Sequence, residues 1–154
     1  IGQDVHGNEP SHHVPYLYNY AGQPWKTQDI VRRIMDELYN DTPGGLPGNE
    51  DQGAMSSWYV FSAMGFYPVT PGSTVYSIGS PIFDEVIIYP DGKNGKSFII
   101  KTKNNSKENK YIQSAVLNGE PLNTTELSHF DIMKGGALNI SLGNQRNEYW
   151  GTDK

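Results

Sequence analysis

The chain has 154 residues, a net charge of −5, no cysteine, ten tyrosines and three tryptophans. The negative charge gives nucleic-acid binding no electrostatic support, and no apolar run is long enough to span a bilayer. The absence of cysteine excludes disulfides, zinc–thiolate sites and a thiol nucleophile, while the length allows one or two compact units.

Ile1-Gly2-Gln3-Asp4 has neither the basic stretch nor the apolar run of a signal peptide, and there is no initiator Met. We expect a piece of a longer chain. His6-Gly7-Asn8-Glu9-Pro10-Ser11-His12-His13 is dense in ligating groups. Three readings of it stand side by side: Asn8 and Glu9 cap the next helix, Asn8 and Glu9 offer hard oxygens to calcium, or His12 and Glu9 bind zinc or iron. Adjacent His12 and His13 point about 100° apart on a helix, so regular backbone does not turn both to one metal. With Pro10 in its first turn, Val14, Leu17, Tyr18 and Ala21 predict a short helix that ends at Gly22.

Thr27 reads as the N-cap of the clearest helix. Ile30, Val31, Ile34, Met35 and Leu38 form its apolar stripe, and Arg32, Arg33, Asp36 and Glu37 its polar face. Asn40-Asp41-Thr42-Pro43-Gly44-Gly45 ends it. A loop with two carboxylates follows, Pro47-Gly48-Asn49-Glu50-Asp51-Gln52-Gly53. A third helix starts behind that loop, with Met55, Trp58, Tyr59 and Ser62 on one face and Gly65 and Pro68 as its stop. Asp51 at a helix N-terminus has two readings, an N-cap or a positioned general base.

After Pro71 the texture changes to β-rich runs: Val75–Ile78, Glu85–Tyr89, Phe98–Lys101, Tyr111–Leu117 and Ala137–Leu142. Turn signals separate them at Pro90-Asp91-Gly92, Asn94-Gly95, Asn118-Gly119 and Gly135-Gly136, and Asn118-Gly119 predicts a tight hairpin. The expected fold class is α+β: helical residues 1–70, then a mainly antiparallel β segment over 71–154. Three Asn-x-Ser/Thr sequons read as chance matches.

Gly48-Asn49-Glu50-Asp51-x-Gly53-x-Met55-Ser56-x-Trp58-Tyr59-Val60-Phe61-Ser62-Ala63-Met64-Gly65-Phe66-Tyr67-Pro68 resembles the signature of glycoside hydrolase family 92. Gly7-Asn8-Glu9-Pro10-Ser11-His12-His13 and Gly22-Gln23-Pro24-Trp25-Lys26-Thr27-Gln28 are similar to the same family, which extends the resemblance over most of residues 7–83. Ala54 stands where the family pattern has glutamine, and Asn49 where some members carry a second Asp.

The resemblance implies a larger, calcium-dependent, inverting exo-α-mannosidase that acts on terminal α-linked mannose of glycans, α-1,2-linked in the first place. It implies an N-terminal β-sandwich and a toroid of six helical hairpins. This chain would hold the last helices of that toroid and a C-terminal β segment, and the missing N-terminal portion would be its partner. By the same resemblance Asp51 is the general base, with Asn49 and Glu50 beside it. Asn8 and Glu9 are calcium ligands, and His12, His13 and Trp58 line the sugar site. The general acid is a Glu upstream, the isolated chain is inactive, and the parent is exported from a bacterium. Trp25 and Trp58 have packing as their alternative role. The competing class is a stand-alone carbohydrate-binding or structural module, which has no need of a Glu-Asp loop at a helix start.

Overall fold

The computed structural model describes residues 5–92 and 95–152, so the readings of Ile1–Asp4 and of a turn at Asn94 fall outside the described residues. The architecture is α+β. The first segment does not form one helix. It makes two 3-10 turns, Glu9–Ser11 and Val14–Tyr16, and then a single α-turn, α1 (Leu17–Tyr20). Pro10 and Pro15 each sit at the start of a 3-10 turn, where a missing N–H is harmless, and neither can donate inside a continuous helix.

The second helix, α2 (Pro24–Leu38), starts four residues earlier than an N-cap at Thr27 predicts, with Gln23 in the N-cap position. Pro24 opens it with a preset φ, and Thr27 is buried inside it, where its hydroxyl donates to the Pro15 carbonyl at 3.0 Å. Val31, Ile34 and Met35 bury the expected stripe. Arg32 leaves the polar face: its guanidinium donates to Ser80 Oγ (3.0 Å), the Pro81 carbonyl (2.6 Å) and Asn105 Oδ1 (2.5 Å). Its neighbour Arg33 stays in solvent and pairs with Glu37. α3 (Ala54–Met64) buries Met55, Trp58 and Ser62, and Gly65 closes it with its amide on the Phe61 and Ser62 carbonyls.

The strands are β1 (Phe66–Tyr67), β2 (Val75–Ile78), β3 (Glu85–Ile88), β4 (Phe98–Lys103), β5 (Tyr111–Leu117), β6 (Glu120–Pro121), β7 (Glu126–Ser128) and β8 (Gly136–Gly143). They form a small sheet in the order β1-β2-β7 and a larger one in the order β3-β4-β8-β5-β6. Asn118 and Gly119 take φ of 52° and 92° between Leu117 and its partner Glu120. Positive φ at both central residues is the geometry that Asn-Gly supplies in a hairpin.

The larger sheet is mixed rather than wholly antiparallel, because β4 and β8 run parallel, Phe98 opposite Gly136. Parallel neighbours need a long crossover; here β5, β6, β7 and a fourth helix, α4 (His129–Lys134), lie between them in sequence. Strand alternation in sequence says which side chains face inward but not which strand is the neighbour, and α4 is too short to leave a periodic signal. In β5 a register shift between Ile112 and Ser114 brings both Ile112 and Ala115 into the core, as an extra residue in one strand does.

Two apolar clusters result. One gathers Tyr16, Val31, Ile34, Met35, Trp58 and Ala63; the other gathers Phe66, Ile78, Leu127, Trp150 and the inner residues of β4, β5 and β8. Polar contacts tie the helices to the strands. Gln28 Oε1 accepts from the Ile112 amide at 3.0 Å, and Asn19 Nδ2 donates to Ser77 Oγ and the Ile78 carbonyl, each at 2.8 Å. No described helix is long and apolar enough to cross a membrane.

Candidate functional site

The loop with Asn8 and Glu9 and the loop with Asn49, Glu50 and Asp51 meet at two glycines. A β-carbon on Gly7 would stand 2.6 Å from the Pro47 carbonyl oxygen, and one on Gly48 would strike the Gly7 carbonyl. Only residues without a side chain let two backbones approach this closely. Asn8 and Glu9, and Asn49 to Asp51, leave this contact one to three residues later.

Asp51, Gln52 and Gly53 have φ of 50°, 59° and 92°. Left-handed backbone costs a residue with a side chain about 1–2 kcal/mol, so two such residues in a row need support. Glu50 supplies it: its carbonyl accepts from the Met55 amide at 3.4 Å and its Oε1 from the Ser56 amide at 3.2 Å. The capping role proposed for Asp51 therefore falls to Glu50, and the N-cap position itself is Gly53. In the left-handed run Asp51 contributes only its backbone carbonyl, which accepts from the Ala54 amide at 3.3 Å. Asp51 is exposed, and among the described residues its carboxylate has no hydrogen bond or ion pair. Asn49 is also exposed.

Behind the loops lies a polar and aromatic cluster. His6 is buried, with Nε2 2.8 Å from the Tyr39 hydroxyl and its ring edge-on to Trp58 at 4.2 Å between centroids. Tyr39 stacks on Trp58 (5.9 Å, 9°), and its hydroxyl also donates to the Met55 carbonyl at 3.4 Å. Burial, then the neighbouring His12, lowers the His6 pKa to about 4. Burial, then the Glu50 carboxylate, raises the Tyr39 hydroxyl above its ordinary value; burial, then the Glu9 carboxylate, does the same to Tyr67. Tyr67 lies 6.4 Å from Trp58 between ring centroids. Glu9 and Glu50 thus bear on two tyrosines that both flank Trp58.

Trp58 is fully buried and its indole N–H donates to the His12 carbonyl at 2.9 Å, so packing describes what it does here. His12 is buried too, and its Nε2 donates to the His6 carbonyl at 3.2 Å. His13 is exposed, so the two adjacent histidines diverge as helical spacing requires. Trp25 is half-buried in the first turn of α2. His6 and Tyr39 are the residues the sequence reading missed. The available signal was that His6 precedes Gly7 within the same ligating stretch.

Hard oxygens at Asn8 and Glu9 suit calcium. Among the described residues no three His, Asp or Glu side chains are grouped to hold a metal ion. Calcium takes six to eight oxygens, so Asn8 and Glu9 are donors of a suitable kind that would make up only part of its sphere. A cavity of about 410 Å3 shares Tyr39 with the cluster and Ser56 with the first turn of α3, but neither Asp51 nor Glu9 lies on its wall.

The glycosyl hydrolase family 92 catalytic domain matches residues 1–144, and the chain belongs to that family. An uncharacterized secreted glycosidase of Arthroderma benhamiae is 41% identical over 149 residues, which is 95% of this chain and 19% of that protein. A family 92 α-mannosidase of Bacteroides thetaiotaomicron, solved with mannoimidazole, superposes with a TM-score of 0.93 at 40% identity, over 99% of this chain and 20% of its own. A family 92 inverting mannosidase of the same species gives 0.91 at 47% identity with the same coverage. The chain therefore spans about a fifth of the length of these relatives.

Proposed function

We propose that this chain is the C-terminal part of a calcium-dependent, inverting exo-α-mannosidase that hydrolyses terminal α-linked mannose, α-1,2 linkages first among them. Residues 1–70 belong in this reading to the last helices of a six-hairpin toroid, and residues 71–154 to the β segment that follows. The observation that carries it is the Gly7–Gly48 contact, which gathers the hard-oxygen loop and the carboxylate loop of one family signature. The family relationship to two mannosidases, one of them an inverting enzyme, supports the chemistry.

Inversion uses an acid on the leaving oxygen and a base on the opposite face, about 6.5–9.5 Å apart with water between. Asp51 is the base: its carboxylate, without a partner among the described residues, takes a proton from water as the water oxygen bonds to the anomeric carbon. Asn49 orients that water. The acid, a Glu of the upstream portion, gives its proton to the departing glycosidic oxygen. Glu50 holds the helix end that aims Asp51. Asn8 and Glu9 would hold calcium, with His13 accessible to the sugar. When bound, calcium would supply Lewis-acid and template chemistry to the sugar hydroxyls. The relative named as secreted supports export of the parent.

Asp51→Asn in the full-length parent tests the assignment. Asn tolerates left-handed backbone as Asp does, so the fold should survive while kcat on an α-mannobioside falls by orders of magnitude. Near-normal turnover in a folded variant would refute the role. The isolated chain should release no mannose above an Asp51→Asn control, because the acid is elsewhere.

A further inference from the structure

Tyr39 follows the last residue of α2, and its ring is held between Trp58 and Tyr59, 5.0 Å from the latter. The ring packing needs no hydroxyl; phenylalanine would stack as well. A phenol in a half-buried place must be hydrogen-bonded to be tolerated, and this one meets two segments far apart in sequence. It lies 2.8 Å from His6 Nε2 and 3.4 Å from the Met55 carbonyl.

The directions of these bonds follow from counting hydrogens. Tyr39 has one, which points to the Met55 carbonyl. With that hydrogen so placed, His6 donates from Nε2, and its Nδ1 is a buried acceptor with no partner among the described residues. The reverse arrangement would bury an unpaired N–H, which is the rarer defect. A directed chain therefore runs from His6 through Tyr39 to the first turn of α3. Its ends stand immediately beside Gly7 and just behind Asp51. The Gly7–Gly48 contact brings the two loops together, and the Trp58 indole bond to the His12 carbonyl ties the far end of the first loop to α3. The chain through Tyr39 adds a directed link at the near end, beside Gly7.

We propose that Tyr39 is a positioning residue: its hydroxyl, through His6 on one side and the Met55 carbonyl on the other, locks the Asn8–Glu9 loop and the Asn49–Asp51 loop in one relative orientation. This rests on the roles assigned above to Asn8, Glu9 and Asp51. It goes further by coupling the two, so that loosening the hydroxyl link disturbs metal affinity and water activation together. Misplacement of a reacting group by about 1 Å costs up to about 100-fold in rate.

The test is a double-mutant cycle in the full-length parent with Tyr39→Phe, His6→Phe and both. Tyr39→Phe should melt cooperatively, keep KM within about threefold and lose about 10- to 100-fold in kcat, with a raised half-saturating calcium concentration. The double variant should lose no more than the worse single, because both cut one chain. A second readout needs no turnover: amide exchange should quicken in residues 5–13 and 47–57 together. Should Tyr39→Phe fail to fold, His6→Phe severs the same chain and carries both readouts. The proposal falls if kcat in folded Tyr39→Phe stays within about twofold, if calcium half-saturation does not move, if the single losses multiply, or if exchange quickens in one loop alone. A wild-type parent without mannosidase activity would sink the function proposed above, while the exchange result would still decide whether Tyr39 couples the loops.

Discussion

Gly7 and Gly48 touch backbone to backbone, and a side chain on Gly48 would overlap the Gly7 carbonyl. The obstacle is main chain rather than a flexible side chain, so it cannot move aside cheaply. Gly48→Ala should cost about 1–3 kcal/mol, the usual range for overpacking, and should reduce turnover of the parent beyond the fraction unfolded. Gly44→Ala is the control, since nothing lies within 4 Å of its added carbon. Chemical denaturation of both variants is the measurement; equal stability would show that the loops can part without strain.

Glu50 and Asp51 are adjacent and do different things. Glu50→Ala removes the acceptor for the Ser56 amide and should destabilise α3 by about 0.5–2 kcal/mol, as loss of a cap does. Asp51→Asn should leave the melting temperature within a degree or two, because the Asp51 carboxylate has no partner among the described residues. The reverse order of stabilities would return the capping role to Asp51.

Chelation should abolish mannosidase activity of the parent, and added calcium should restore it. Glu9→Ala should raise the calcium concentration needed for half-maximal activity by at least about tenfold, since each lost carboxylate ligand weakens a hard-oxygen site. Activity that persists after exhaustive chelation would remove calcium from the mechanism.

His6 is neutral in the fold down to a pKa of about 4, against an ordinary value of 6.5. Below pH 6.5 the unfolded chain binds a proton that the folded chain refuses, so the stability linked to His6 is complete above pH 6.5. It is lost as pH falls from 6.5 toward 4. Between pH 7.5 and 4.5 the melting temperature should therefore drop more for the native chain than for His6→Phe. Parallel curves for the two would show that His6 is not buried neutral.

Read alone, the sequence determined what depends on neighbours within a turn or two. The stripe of Val31, Ile34 and Met35, the inward face of Met55, Trp58 and Ser62, and the Asn118-Gly119 hairpin are of this kind, because 3.6-residue and two-residue periods and turn chemistry are local. The family signature also marked both site loops. Only the tertiary structure decided which distant groups meet. It brought Gly7 against Gly48, set β4 parallel to β8 and turned Arg32 from the solvent face of α2 toward Ser80 and Pro81. It buried His6 against Tyr39, 33 residues away. It also gave the side-chain capping contact to Glu50 rather than Asp51, because which carboxylate reaches the first-turn amides depends on two left-handed residues that the packed loop holds in place.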